Sequence, residues 1–369
     1  MNKTLSATNE GVCARQIAFF AAFLLPVYKL LETPSILSRF MQGDLLIPAL
    51  LHYLVQTGVL IAVLFIVSRS ETPLLQRLQT RLGKGVYALY ILYAAYFLFS
   101  VLLPLLDLEK FIYAAFYDTS PTIFSFAAFF ILSAFVCTKG LKTTGRIADL
   151  SLFLFLLPFF ALIIMSLMEA DATNLLPLFE QEFGHTVSAF TYTTPHFSDV
   201  VLLLPLLGNL RYKKGDGTKI AIGYGAGALF TLLFLGVFYG LYSTIAPREH
   251  YAFSKIAQYF PVLSVIGRID LVFVYMLSIV LFFFTCIPMQ YAVDLTARLF
   301  KTPRKTWIAA AVNLAAFLFV LFCNKYYNAF YAFFGNIAPP IFWLIADLIP
   351  LALLFLKDEK TNQKEKHHA

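Results

Sequence analysis

The sequence predicts an all-α polytopic membrane protein: ten transmembrane helices in two inverted halves of five, the first helix of each half broken. Three observations predict it. The chain is 60% hydrophobic and only 13% charged over 369 residues, with 40 Phe and 20 Tyr, whereas a water-soluble chain carries about a quarter charged residues. Apolar runs of span length recur along it. Basic residues gather in alternate connectors.

Ten apolar segments lie near 16–32, 45–67, 86–106, 121–138, 147–168, 186–209, 219–246, 263–294, 306–323 and 335–356. The first is not a signal peptide, since it continues through Pro26 and Lys29 without a small-residue cleavage site and more spans follow. One set of connectors holds most of the Lys and Arg, among them Arg15, Arg77, Arg81, Lys84, Lys139, Arg146, Arg211, Lys214, Arg298, Lys305 and the tail Lys357 to Lys366. The opposite connectors hold few bases and the acids Asp107, Glu109, Asp118, Glu169, Asp171, Glu180 and Glu182. A miscounted span would scramble this alternation. The positive-inside rule then places both termini in the cytoplasm. The domain expectation is one transmembrane domain, with a first repeat over 1–168, a second over 186–356 and a cytoplasmic tail over 357–369.

Composition excludes several classes. The net charge of +7 sits in connectors, where topology explains it, and gives no reason to expect nucleic acid. Cys13, Cys137, Cys286 and Cys323 show neither metal nor redox spacing. No nucleophile–base pair, metal cluster or phosphate loop appears, so neither an enzyme nor a cofactor is expected.

With five spans per half, span 1 and span 6 cross in opposite senses, as in inverted-repeat transporters. Both look interrupted. Span 1 reads LLPVYKLLETPS, with Pro26 and Pro34; span 6 reads TYTTPHFSD, with Pro195 among Thr193, Thr194, His196, Ser198 and Asp199. Proline removes a backbone donor and crowds the preceding turn. Irregular backbone at membrane depth is tolerated only where it is enclosed or lines a cavity, and paired interrupted spans point to the binding site.

Asp199 lies about 12 residues into its span, or ~18 Å at 1.5 Å per residue, near the midplane of a ~30 Å core. An acid there needs a cavity or a partner, so it is a candidate for a ligand ammonium, a cation or a proton. Asp347, in IFWLIADLIP, is equally deep. It reads as a proton or ion group or as a hydrogen-bond partner of another span. Lys29 reads first as a snorkelling lysine, and second as a partner of Glu32 or Asp199. His52 reads as a satisfied packing histidine. Gly223 and Gly227 in GYGAG read as close helix packing rather than as a phosphate loop. Tyr275, Ser278 and Thr285 in span 8 offer hydroxyls to a cation, or bond their own helix.

The chain resembles the spore germination permease family, the B-type (GerAB-like) subunits of germinant receptors, within the amino acid–polyamine–organocation superfamily. The stretches that carry the resemblance run in order: RQIAFF opening span 1, LGKGVYALYILYAAYF leading into span 3, GRIADLSLFLFLLPFF opening span 5, NLLPLF before span 6, FSDVVLLLPLL in span 6 and IGRIDLVFVYMLSIVLF opening span 8. In one respect the chain departs: span 1 of the family often has glycines before its proline, and AFFAAFLLPVYK has none. The resemblance implies a LeuT-like fold and a ligand between broken spans 1 and 6, with spans 3 and 8 lining the pocket. Carried onto this chain, it points to Pro26, Val27, Tyr28, Tyr192, Thr193, Thr194 and Ser198, with Asp199 at the family's acidic position and Tyr275 from span 8.

The function expected is that of a membrane subunit of a spore germinant receptor that binds a small solute, an amino acid by class, beside A- and C-type subunits. Its location would be a bacterial cell membrane or the spore inner membrane. A proton- or sodium-coupled amino acid transporter is the first alternative, with Asp199, Asp347 or Ser278 at the ion. A membrane scaffold with no ligand is the second.

Overall fold

The computed structural model describes residues 12–69, 74–116, 122–260, 270–302 and 304–352. Those residues form helices and connectors, and no strand appears among them. The helices are α1 (Ala14–Lys29), α2 (Thr33–Met41), α3 (Leu46–Ser68), α4 (Leu74–Leu82), α5 (Val86–Phe116), α6 (Thr122–Cys137), α7 (Leu141–Leu167), α8 (Phe183–Phe197) and α9 (Val200–Leu207). They continue as α10 (Asp216–Tyr242), α11 (Ala252–Tyr259), α12 (Asp270–Leu299), α13 (Lys305–Lys325), α14 (Tyr327–Asn336) and α15 (Ala338–Ala352).

Six of these are long and apolar enough to cross a membrane, and eight elements qualify if each of two bent pairs counts as one span. The bent pairs are α1 with α2, at 62°, and α14 with α15, at 53°. The remaining two of the ten expected segments are the short α6, of 16 residues, and the divided pair α8–α9. The Arg268-Ile269 start of the expected eighth span and the tail lie outside the described residues.

Large apolar side chains cover the outside, with Ile131 and Phe153 more than 70% exposed. Such a surface needs hydrocarbon around it. Inside, hydroxyls do not compete for partners, because they bond the carbonyl a turn earlier in their own helix: Thr193 to Ala189, Thr231 to Gly227, Ser278 to Val274 and Thr285 to Leu281.

The first break falls between the two prolines, just before Pro34 rather than at Pro26. Around Pro26 the helix widens into a π turn over Phe20–Leu24, and the Leu25 N–H reaches Phe20 O. The wider turn absorbs the missing donor and the ring, so α1 runs on to Lys29. The chain then unwinds over Leu30 to Glu32 and restarts at Thr33–Pro34, where proline suits the first turn. The freed carbonyls of Leu30 and Leu31 accept the N–H groups of Phe253 and Ala252 at the start of α11, at 3.1 and 3.0 Å. The second break is at Ser198–Asp199, beginning three residues after Pro195.

Glycine permits the closest helix approach. Gly223 and Gly227 of α10 face the backbone of α1: a Cβ on Gly223 would lie 2.5 Å from Ala18 O, and one on Gly227 would strike Ala21 O, whereas Gly225 between them faces open space. The α1–α10 seam therefore rests on two glycines one turn apart. The acids Asp107 and Glu109, assigned above to a connector, lie inside α5, which continues to Phe116, and both are buried.

Candidate functional site

Where the two breaks meet, Lys29 and Asp199 form a buried ion pair. Lys29 Nζ lies 2.6 Å from Asp199 Oδ1 and 3.1 Å from Leu25 O. It also faces the rings of Phe197 and Tyr53, at 5.3 and 5.9 Å from their centroids. The other carboxylate oxygen accepts the Tyr224 hydroxyl at 3.2 Å. Lys29 does not snorkel, because its stem is packed against this site and only 1% of the residue is exposed. It is the last residue of α1 and Asp199 stands in the α8–α9 break, so the pair ties one break to the other.

Beside this pair is a cavity of about 30 Å³, room for one or two waters. Tyr28, Tyr96, Ser100, His196, Ser198, Asp199, Phe284, Pro288 and Phe342 line it. His196 stacks parallel on Tyr28, with centroids 5.2 Å apart, and Phe284 also stacks with Tyr28 at 5.7 Å. Both ring nitrogens of the buried His196 lack a hydrogen-bond partner. The Tyr28 hydroxyl is occupied, donating to Asp107 at 3.1 Å.

The expected residues divide. Tyr28, Ser198 and Asp199 line the cavity. Pro26 packs toward Gly227, and Val27 is buried without reaching the cavity. Thr193 bonds Ala189 O and meets His52 Nε2 at 3.0 Å, while Thr194 bonds Phe190 O. Tyr192 lies toward the acidic end, its ring against Gly335 and Phe40. Tyr275 is 59% exposed on the outer face and Ser278 bonds its own helix, so the structure brings neither to the site. Phe284 and Pro288 are the α12 residues that line the cavity. Tyr275 precedes Phe284 by nine positions, two and a half turns at 3.6 residues per turn, which places it on the opposite face. Asp347 lies in a π turn of α15 and accepts the Gln56 amide at 2.7 Å, while the same Gln56 caps the Val200 N–H at 3.1 Å.

His196, Tyr96, Tyr224, Gln56 and Phe342 are absent from the sequence-derived site. For His196 a signal existed, its place beside Pro195. For the others nothing in one sequence shows which spans face each other. Among the described residues no group of three His, Cys, Asp or Glu could hold a metal ion.

Toward the acidic end, His250 Nδ1 lies 2.9 Å from Glu32 Oε2 at the α1–α2 corner. The hydrogen bond with Glu32 raises the His250 pKa above the ordinary imidazole value, partial burial opposing it.

A family model described as spore germination protein matches residues 45–328. The chain belongs to this spore germination protein family. In fold, this family member is similar to MhsT in complex with L-phenylalanine, with TM-score 0.64, 13% identity, and 92% of this chain and 87% of that one covered. It is also similar to a mutant manganese transporter of Eremococcus coleocola, with TM-score 0.53, 14% identity, and 93% and 76% covered. These likenesses show a LeuT-like fold, the architecture expected for the germination permease. No curated protein matches the sequence. The chain is a multi-pass integral membrane protein of permease type.

Proposed function

We propose that the protein is the membrane subunit of a spore germinant receptor and that it binds an amino acid in the cavity between the α1–α2 and α8–α9 breaks. The observation that carries this reading is His196. A buried polar group left unpaired costs about 1–3 kcal/mol, and native interiors seldom leave one so. An imidazole with two open nitrogens facing a cavity at two helix breaks is supported best as a ligand contact. MhsT, similar in fold, is known with L-phenylalanine bound, which supports an amino acid as the ligand.

The cavity is too small for an amino acid as it stands. Binding therefore requires the broken helices to part, and a ligand that selects the parted state shifts the balance between two packings. In this reading the chain is one transmembrane domain of two five-span halves with both termini in the cytoplasm. A- and C-type subunits stand beside it in the spore membrane and read the change.

The test is equilibrium binding of a labelled amino acid panel to detergent-purified protein, with His196→Leu as the control. Saturable binding that weakens at least tenfold in H196L, at unchanged melting temperature, is expected. Absence of saturable binding across the panel refutes the reading in favour of a scaffold. Net flux into reconstituted vesicles would replace the sensor with a transporter.

A further inference from the structure

We infer that the Lys29–Asp199 pair is a clamp for a zwitterion: the ligand inserts between the two, its carboxylate on Lys29 Nζ and its ammonium on Asp199, and its uncharged side chain enters the aromatic cavity. This deepens the proposed function and rests on that reading.

Among the described residues Asp199 is the single acid lining the cavity, and its partner comes from the other break. The pair is enclosed, with both side chains under 5% exposed. Charge balance inside so dry a site is strict, since a buried charge stripped of its partner is strongly destabilising. A ligand carrying only an ammonium would take Asp199 and strand Lys29. A ligand carrying only a carboxylate would strand Asp199. A zwitterion replaces one ion pair with two and strands neither.

The surroundings accept this exchange. Asp199 keeps the Tyr224 hydroxyl and Lys29 keeps Leu25 O, so each partner remains held while the contact between them opens. Besides Asp199 the lining is mostly apolar and aromatic, with Tyr28, Tyr96, Phe284 and Phe342 beside Ser100, Ser198 and the unpartnered His196, which suits an apolar or small side chain and offers a second positive charge no further carboxylate. Since the pair joins the end of α1 to the α8–α9 break, a ligand backbone placed between the charges forces those ends apart. The clamp thereby couples occupancy to the two broken helices.

The experiment measures competition against labelled L-valine on the purified full-length protein. The competitors are unlabelled L-valine, L-valinamide, N-acetyl-L-valine and L-lysine. The expected result is competition by L-valine alone, with the amide and the N-acetyl compound each at least 100-fold weaker and lysine excluded. The double variant K29M/D199N removes both charges at similar volume, a replacement that buried pairs tolerate. It is expected to melt near the wild-type temperature and to lose at least 50-fold in L-valine affinity. Equal competition by L-valinamide or N-acetyl-L-valine overturns the inference, and so does L-valine affinity retained in the double variant, while the proposed site stands in both cases. Failure of the wild-type protein to bind any amino acid overturns the reading and this inference together. The competitor series needs no variant, so a misfolded double mutant leaves the inference exposed to refutation.

Discussion

Replacing Gly223 by alanine tests whether the α1–α10 seam rests on backbone contact. The added Cβ would lie 2.5 Å from Ala18 O and 2.7 Å from Ala18 Cα. Ordinary contact begins near 3.4 Å, so α1 must retreat by about 1 Å or α10 must rotate. The obstacle is backbone, which has no rotamer to escape into. Overpacking of this kind costs ~1–3 kcal/mol, against the ~1 kcal/mol that alanine gains over glycine as a helix former. The retreat also pulls on Lys29, about three turns further along α1, and stretches its contact with Asp199. Gly225→Ala is the internal control. It lies two residues along the same helix with nothing within 4 Å of its added Cβ, so only the propensity gain of ~1 kcal/mol applies. Thermal unfolding of the three purified proteins in one detergent is the assay. The expected order of stability is Gly225→Ala at or above wild type, with Gly223→Ala clearly below. Gly223→Ala as stable as Gly225→Ala would refute the reasoning.

Further outcomes follow from individual contacts. Gln56→Leu leaves both the Val200 N–H and the Asp347 carboxyl without a partner, at about 1–3 kcal/mol each, read as a lowered melting temperature; a neutral effect would show that the bridge is dispensable. Asp44 accepts the Phe179 and Gln181 N–H groups at 2.7 and 2.9 Å, so Asp44→Ala is expected to speed proteolysis near residues 176–182 by several fold without moving global stability comparably. The raised His250 pKa makes protonation favour the folded state. That contribution is complete below the unfolded imidazole value of about 6.5 and fades as pH climbs through the higher folded value. Glu249 reinforces and Arg39 opposes the Glu32 effect. Melting temperature should therefore fall on raising pH from about 6.5, and His250→Gln should flatten that slope; an unchanged slope would rule out the Glu32 pair as its source.

The spans were legible because hydrocarbon imposes a length and a composition on each. The second break was legible too, since Pro195 stands among polar residues that no intact span needs. The first was legible as a stretch but not to the residue, because a proline has two outcomes, a break or a widened turn, and Pro26 took the second while the chain unwinds just before Pro34. Lys29 was read first as snorkelling because its own neighbours in sequence are apolar. Asp199, one of two partners named in its second reading, is 170 residues away, and the juxtaposition of the two breaks decides for that pair. Tyr275 was misplaced by rotation alone: hydroxyls mark a residue as polar but say nothing of which way an almost uniformly apolar helix turns. The partners Gln56, Tyr224 and Tyr96 belong to the same class, since span-to-span pairing leaves no periodic trace.

The α11 amides that close the Leu30 and Leu31 carbonyls also constrain the order of biogenesis. When the first span leaves the ribosome, the donors for its unwound corner have not been synthesised, and they arrive only after α10 is complete. Hydrocarbon supplies no substitute, so the corner cannot reach its final hydrogen bonding during early insertion. The earliest span is among the last to mature. A fragment that ends before α11 lacks the donors altogether, so it cannot finish the α1–α2 corner by itself.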